Sequence, residues 1–483
     1  MSQRNRKFAL AYIALVGLPV AVLVGILKTG RNLVAPPGVA STLNLPSLPP
    51  QLVLNLFVLV LQITVILAVC RLMGSLFRTL HQPRVVGEMF AGILLGPSLL
   101  GWIAPSVSAY LFPQASLSFL NALSQVGVVI FMFLVGMELN PKELKHMGHT
   151  AMLAGHVGIT VPFVLAAGLA IYLYPRLSAS TVSFSNFALF LGAAMSMTAF
   201  PVLARILSER NLLHSRLGTL AVACAAVGDV TGWCILAYIV VLIRSAADSM
   251  PLSYVIGGIV LFVLIMVYVV RPLIGRLETI YARDGYISEN LFALVLLLVL
   301  ISGLCTERLG VHLLFGSFFM GAIMPKEPRF VRYILDRFEM VTLTLLLPLF
   351  FVVTGLRTNV AAVKGPQMWF YCGLIILVAT VGKLGGSATA ARISGMSTRE
   401  ALGLGALMNT RGLMELIILN IGLDIGVISP ALFSMMVIMA LFTTFMTTPA
   451  LELICPTRML SPQVESESKP RAIPPFASNG SAA

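Results

Sequence analysis

SMTAFPVLARIL, residues 196–207, sets a proline inside an apolar run long enough to cross a membrane. Pro201 cannot donate to the helical ladder and its ring crowds the preceding turn, so the run reads as an interrupted helix. Ser196 and Thr198 stand beside the break and can satisfy backbone groups that it frees. MNTRGLMELI, residues 408–417, interrupts a later apolar run by placing Asn409, Thr410 and Gly412 around Arg411. One proline in a helix is ordinarily a kink. Two matched interruptions beside buried charges point instead to a transport site, because half-helix ends offer carbonyls and dipoles to an ion.

The composition agrees. The chain has 483 residues, 58% hydrophobic and 11% charged, with a mean hydropathy of +0.95. Those values exclude a water-soluble enzyme, a disordered chain and a nucleic-acid binder. The net charge of +13 is spread in short basic groups between apolar runs, which is a topology signal rather than a phosphate-binding face. Six scattered cysteines with no CxxC read as buried thiols, with neither a disulfide framework nor a metal site. No HExxH, nucleophile constellation, nucleotide motif or cofactor motif is present, so an enzyme is not expected.

Apolar runs between polar or Pro/Gly breaks predict an all-α polytopic membrane protein of about 14 transmembrane helices. They lie near 8–27, 52–75, 85–103, 118–137, 149–173, 186–207, 217–243, 253–275, 287–306, 311–325, 341–356, 367–391, 400–423 and 428–452. The first, with its basic flank, reads as an anchor rather than a signal peptide; with a Pro-rich linker it makes up residues 1–51. Residues 52–452 form the main transmembrane domain, and 453–483 read as a disordered cytoplasmic tail. With both termini in the cytoplasm, 23 of the 32 Lys and Arg fall on that side and 7 outside. That bias obeys the positive-inside rule. The remaining two, Lys383 and Arg411, fall within helices.

An internal echo supports an inverted-topology repeat. FMFLVGMELN (131–140) and FFVVTGLRTN (350–359) share F-x4-G-[ML]-x2-N. They end the fourth and eleventh stretches, an odd number of crossings apart, so the two halves run in opposite directions. Stretches 2–7 then match 9–14.

An ionisable group at mid-membrane is costly and is a functional candidate by default. Asp229 qualifies, in AVACAAVGDVTGW (221–233), as do Lys383, Arg411 and Glu415. Asp229 lies ~18 Å from the cytoplasmic start of its stretch and Lys383 ~12 Å from the cytoplasmic end of its own, at 1.5 Å per residue. The two side chains are therefore expected to come within reach. A permanent ion pair holding two helices is the competing reading, but such pairs add little stability. Glu88, Glu138 and Glu452 lie near helix ends, and Glu307 and His312 near the outer surface. Gly92, Gly96, Gly316 and Gly321 suggest close helix packing.

Six segments resemble the second branch of the monovalent cation:proton antiporters. They are HQPRVVGEMFAGILLGPSLLG (81–101), FMFLVGMEL (131–139), SMTAFPVLARIL (196–207), GDVTGW (228–233), LGVHLLFGSFFMGAIMP (309–325) and NTRGLMELIILNIG (409–422). That branch holds sodium/proton and Kef-type potassium/proton antiporters and plant cation/H+ exchangers. The resemblance covers about residues 52–452. It implies two crossed, discontinuous helices and a separate dimerisation domain, hence a homodimer. Thr198 and Asn409 would sit at the two breaks, with the essential carboxylate at Asp229 and the core lysine at Lys383. Many members carry an acidic or amide residue before that carboxylate; Gly228 stands there. The implied activity is exchange of H+ for K+ or Na+ across, most simply, a bacterial inner membrane, with no cofactor. A Kef-type gated potassium channel and an organic-anion symporter using Arg411 are the alternatives.

Overall fold

The computed structural model describes residues 17–30, 56–80, 82–138, 149–210, 212, 215–248, 252–284, 286–309 and 311–454. Among these there is no strand. The linker at 31–55, residues 1–16 of the anchor region and the tail from 455 lie outside the described residues.

The described residues of each expected stretch fall mostly on helix. The helices are α1 (Leu18–Thr29), α2 (Leu56–Thr79), α3 (Arg84–Leu95), α4 (Gln114–Glu138), α5 (His149–Leu177) and the broken α6a (Phe184–Ser196) and α6b (Phe200–Glu209). Then come α7 (Arg216–Asp248), α8 (Leu252–Ile265, continuing as Arg271–Asp284), α9 (Glu289–Arg308), α10 (Leu313–Ile323) and α11 (Pro328–Val341, continuing as Leu347–Arg357). The last are α12 (Gly365–Ile393), the broken α13a (Thr398–Met408) and α13b (Leu413–Asp424), and α14 (Pro430–Ile454). Ten helices are long and apolar enough to cross a membrane, and an eleventh is the α13 pair, bent by 43°. The three remaining stretches fall on shorter apolar helices: α1, α6a and α10.

Two boundaries differ from the hydropathy reading. The eleventh helix starts at Pro328, well before residue 341. Its first segment is amphipathic: Phe330, Ile334 and Phe338 recur at i, i+4 and i+8 and are buried, while Arg329 and Arg332 are not. Glu327 caps it by accepting from Phe330 N–H at 2.6 Å. The eighth helix likewise continues to Asp284, with Ile274 and Leu277 buried. A search for apolar runs stops where such a helix leaves the hydrocarbon layer.

The inverted repeat is visible where glycines let backbones touch. A Cβ on Gly136 of α4 would fall 2.1 Å from the Phe318 carbonyl oxygen and 3.0 Å from the Cα of Gly321 in α10. A Cβ on Gly355 of α11 would fall 2.4 Å from the Cα of Gly92 in α3. Matching α4 with α11 and α10 with α3 carries one crossing onto the other, as the repeat requires. Small residues permit such approach between membrane helices, where no hydrophobic force pulls them together.

Candidate ion-binding site

The site grows from the two breaks. α6 loses helical geometry at Met197–Ala199 and resumes at Phe200, so Pro201 sits at the second position of α6b. There a missing N–H is no loss, because the first turn has no partners for its donors. α13 breaks over residues 409–412, between Met408 and Leu413. The breaks bond to each other: Ala199 N–H donates to the Thr410 carbonyl at 3.0 Å, and Thr198 Oγ1 donates to the Met408 carbonyl at 3.2 Å. The two interrupted helices therefore meet at their gaps, and each supplies partners for backbone that the other leaves open.

The carbonyl end of α6a is held by two cations. Lys383 Nζ donates to the Ser196 carbonyl. The Arg411 guanidinium reaches the carbonyls of Ala194 (3.2 Å), Met195 (2.5 Å) and Met197 (3.4 Å). A helix C-terminus carries partial negative charge and unbonded carbonyls, and no water is at hand inside a bilayer. Arg411 also pairs with Glu415 at 3.3 Å, one turn on, with both side chains at most 1% exposed. Thr444 of α14 fixes this backbone, accepting from Arg411 N–H at 2.9 Å and donating to the Arg411 carbonyl at 2.7 Å.

Asp229 comes from α7 and is 3% exposed. One turn on, Gly232 lies against Met197 of the α6 break, where a Cβ would meet the Met197 sulfur at 2.2 Å. Asp229 thus stands beside the crossing. Lys383 is close enough for the two charges to interact. No direct ion pair or hydrogen bond joins them among the described residues, since the ammonium is turned to Ser196. Asp229, Glu415, Lys383 and Arg411 together place two acids and two bases in one buried centre that is formally neutral when all four are ionised.

Unpaired acceptors complete the picture. Asn409 caps α13a and is 2% exposed, yet its Oδ1 has no hydrogen-bond partner. Buried polar atoms are almost always satisfied, and an exception calls for an ion or a water. Ser387 Oγ and Thr380 Oγ1, on α12 at one turn either side of Lys383, are also unsatisfied. Sequence reading missed both, although their spacing from Lys383 puts them on its face of the helix. It also missed Thr444, which carries no signal beyond an ordinary apolar run. At Gly228 a Cβ would meet only the Ile159 side chain, at 3.9 Å, so close packing does not require a glycine there.

Residues 63–454 match the model of the transmembrane sodium/hydrogen exchanger family. The chain belongs to the sodium/hydrogen exchanger family. It is 41% identical over 404 residues to the Na(+)/H(+) antiporter NhaS4 of Synechocystis sp., covering 83% of this chain and 98% of that protein. It is 42% identical to Cation/H(+) antiporter 17 of Arabidopsis thaliana, over 81% of this chain and 47% of that protein. With K(+)/H(+) antiporter 1 of Saccharomyces cerevisiae the identity is 32%, over 82% and 46%. The chain thus spans nearly all of the cyanobacterial relative and about half of the plant and yeast ones. Among solved structures, the sodium proton antiporter MjNhaP1 of Methanocaldococcus jannaschii at pH 8 shares the fold. Its TM-score is 0.60 at 16% identity, covering 83% of this chain and 99% of that one. The exchanger architecture, an integral multi-pass bundle with crossed broken helices, is therefore established for this protein.

Proposed function

We propose that this protein is a secondary antiporter exchanging protons for a monovalent cation, K+ or Na+, with Asp229 as the group for which the two compete. The observation that carries the reading is the crossing itself. Two broken helices bond gap to gap beside a buried carboxylate, with the Asn409 Oδ1 acceptor left open. The names of the Synechocystis and yeast relatives supply the ion class.

The charge balance suits competition. With all four ionised groups summing to zero, either a proton or a monovalent cation takes the centre to plus one. One carboxylate that holds one or the other couples the two fluxes without a separate device. Asn409 Oδ1 and main-chain oxygens at the breaks replace water around a dehydrated cation, as oxygen ligands do for hard cations generally. Lys383 and Arg411 hold the α6a end rigid around the site. Access alternates as the body carrying α6, α7, α12 and α13 moves against the rest, which also forms a homodimer. The protein lies in a bacterial inner membrane with both termini cytoplasmic and needs no cofactor.

The test is reconstitution into proteoliposomes containing a pH-sensitive dye, with K+ and Na+ added in turn. Cation-driven proton movement is expected for at least one of them. Cation flux without counter-movement of protons would assign a gated channel in its place.

A further inference from the structure

Between α7, α8 and α10, with the outer end of α9, lies a cavity of about 370 Å³. α7 lines it with Trp233 and Ala237, α8 with Phe262 and Val263, and α10 with Phe315 and Phe318. The Trp233 ring packs edge-on to Phe315 at 5.3 Å. The one wall hydroxyl, Thr306 Oγ1, is already used: it donates to the Gly303 carbonyl at 2.9 Å and accepts from Gly316 N–H at 3.2 Å.

That wall sorts the possible occupants. A water needs two to four polar partners, and the one unbonded side-chain nitrogen or oxygen of the wall is the buried Trp233 Nε1, a single donor that is too little to hold one. Leaving the space empty forfeits dispersion contacts over a volume more than twice the roughly 150 Å³ that takes up benzene in an engineered protein cavity. The mouth shows what is at hand. Cys234 on the rim is exposed, and Tyr238, one turn further along α7, is 57% exposed. On α8, Leu261 is 59% exposed. In an integral membrane protein such exposed apolar side chains on spanning helices are the surface offered to lipid, and Cys234, which lines the cavity, belongs to it. Cys234 lies nine residues inside the end of the span Arg216–Ile243, or ~13 Å along the helix. The mouth is therefore within the ~30 Å hydrocarbon layer, below the headgroups.

We propose that this cavity is a binding site for a single acyl chain of a bilayer lipid, wedged between α7 and the α8–α10 wall. The chain packs on Trp233, one turn beyond Asp229, and keeps that side of the carboxylate-bearing helix dry. Occupancy does not depend on the exchange reaction. Only its consequence for α7 movement rests on the antiporter reading, so the two fail separately.

Trp233 is the reporter. The other two tryptophans, Trp102 and Trp369, are 77% and 49% exposed and are removed as Trp102→Phe and Trp369→Phe. The protein is reconstituted into phosphatidylglycerol vesicles with plain or dibrominated acyl chains. Bromine quenches indole only at close range, and Trp233 is 2% exposed, so bulk lipid does not reach it. Loss of most of the Trp233 emission in the brominated vesicles is expected. Ala237→Phe and, independently, Val263→Phe fill the cavity and should restore it, each variant first checked for a monodisperse elution profile. Equal emission in the two lipids overturns the proposal. Quenching that persists unchanged in both filled variants overturns it as well, because bulk lipid would then be the quencher.

Discussion

The ammonium of Lys383 on α12 donates a hydrogen bond to the main-chain oxygen of Ser196, the last residue of α6a. This contact joins the core lysine to the broken helix rather than directly to Asp229. Lys383→Met removes the donor and leaves a buried carbonyl unbonded, a loss of about 1–3 kcal/mol. Lys383→Arg keeps a donor and should retain most of the stability. Thermal melting in detergent reads both. Equal melting temperatures for Lys383→Met and the parent would show that the contact contributes nothing.

Arg411 and Glu415 form a second test of the same end. Glu415→Gln removes one member of a buried pair, which ordinarily costs about 3–5 kcal/mol. Arg411→Leu removes the pair and also uncovers the carbonyls of Ala194, Met195 and Met197. It should therefore destabilise more than Glu415→Gln, with the double variant no worse than Arg411→Leu alone. A double variant whose loss equals the sum of the single losses means the two side chains act independently.

Gly321→Ala and Gly355→Ala probe the two repeat crossings. A Cβ at Gly321 would sit 2.1 Å from the Phe133 carbonyl oxygen, and one at Gly355 would sit 2.1 Å from the Gly92 carbonyl carbon. Neither neighbour can swing aside, because both are backbone. Each substitution should cost at least about 1–3 kcal/mol by overpacking and reduce folded yield. Gly257→Ala and Gly373→Ala, with nothing within 4 Å, serve as controls and should be neutral. Wild-type yields for Gly321→Ala would undo the close crossing.

Lys326, between α10 and α11, carries a pH signature. It donates three bonds of 2.9 Å, to the carbonyls of Gly136, Met137 and Gly321. Burial and the neighbouring Arg271 push its ammonium down to about 7 from the ordinary 10.5. Between those values the unfolded chain binds a proton that the folded one does not, so this group makes stability rise with pH from about 7 to about 10.5. Below about 7 both states are charged and its contribution is flat. Subtracting the melting temperature of Lys326→Met at each pH should leave a curve that is level below neutrality and climbs above it. A level curve throughout would mean an unshifted lysine.

Much of this was readable from one dimension. Pro201 and the Asn409–Gly412 interruption announced two broken helices, because proline and glycine act on their own backbone wherever they stand. Gly136 and Gly355 marked the repeat for the same reason. The partner of Lys383 was not readable. Depth placed Lys383 within side-chain reach of Asp229, but depth says nothing of azimuth, and the free carbonyl of Ser196 exists only once α6 has broken. The lower segment of α11 escaped because its buried face, Phe330, Ile334 and Phe338, is diluted by arginines in any average along the chain.

Asp229→Asn should abolish exchange of every cation while leaving the protein folded and inserted. Asp229 is the sole acid in the described part of α7 before Asp248, and it is 3% exposed at the crossing of the broken helices. A charge there without function would cost at least about 2.5–3.5 kcal/mol on insertion scales. Asparagine preserves size but cannot exchange a proton in the working pH range, and it lacks the negative charge that holds a dehydrated cation. Folding should survive, because Lys383 keeps Ser196 and Arg411 keeps Glu415. A purely structural Asp229 predicts the opposite pattern: lower melting temperature with unchanged transport per folded molecule. Flux and melting measured on the same purified variant separate the two. Normal flux per folded molecule would remove Asp229 from the mechanism and leave Glu415, with its unpaired Oε1, as the acid to examine.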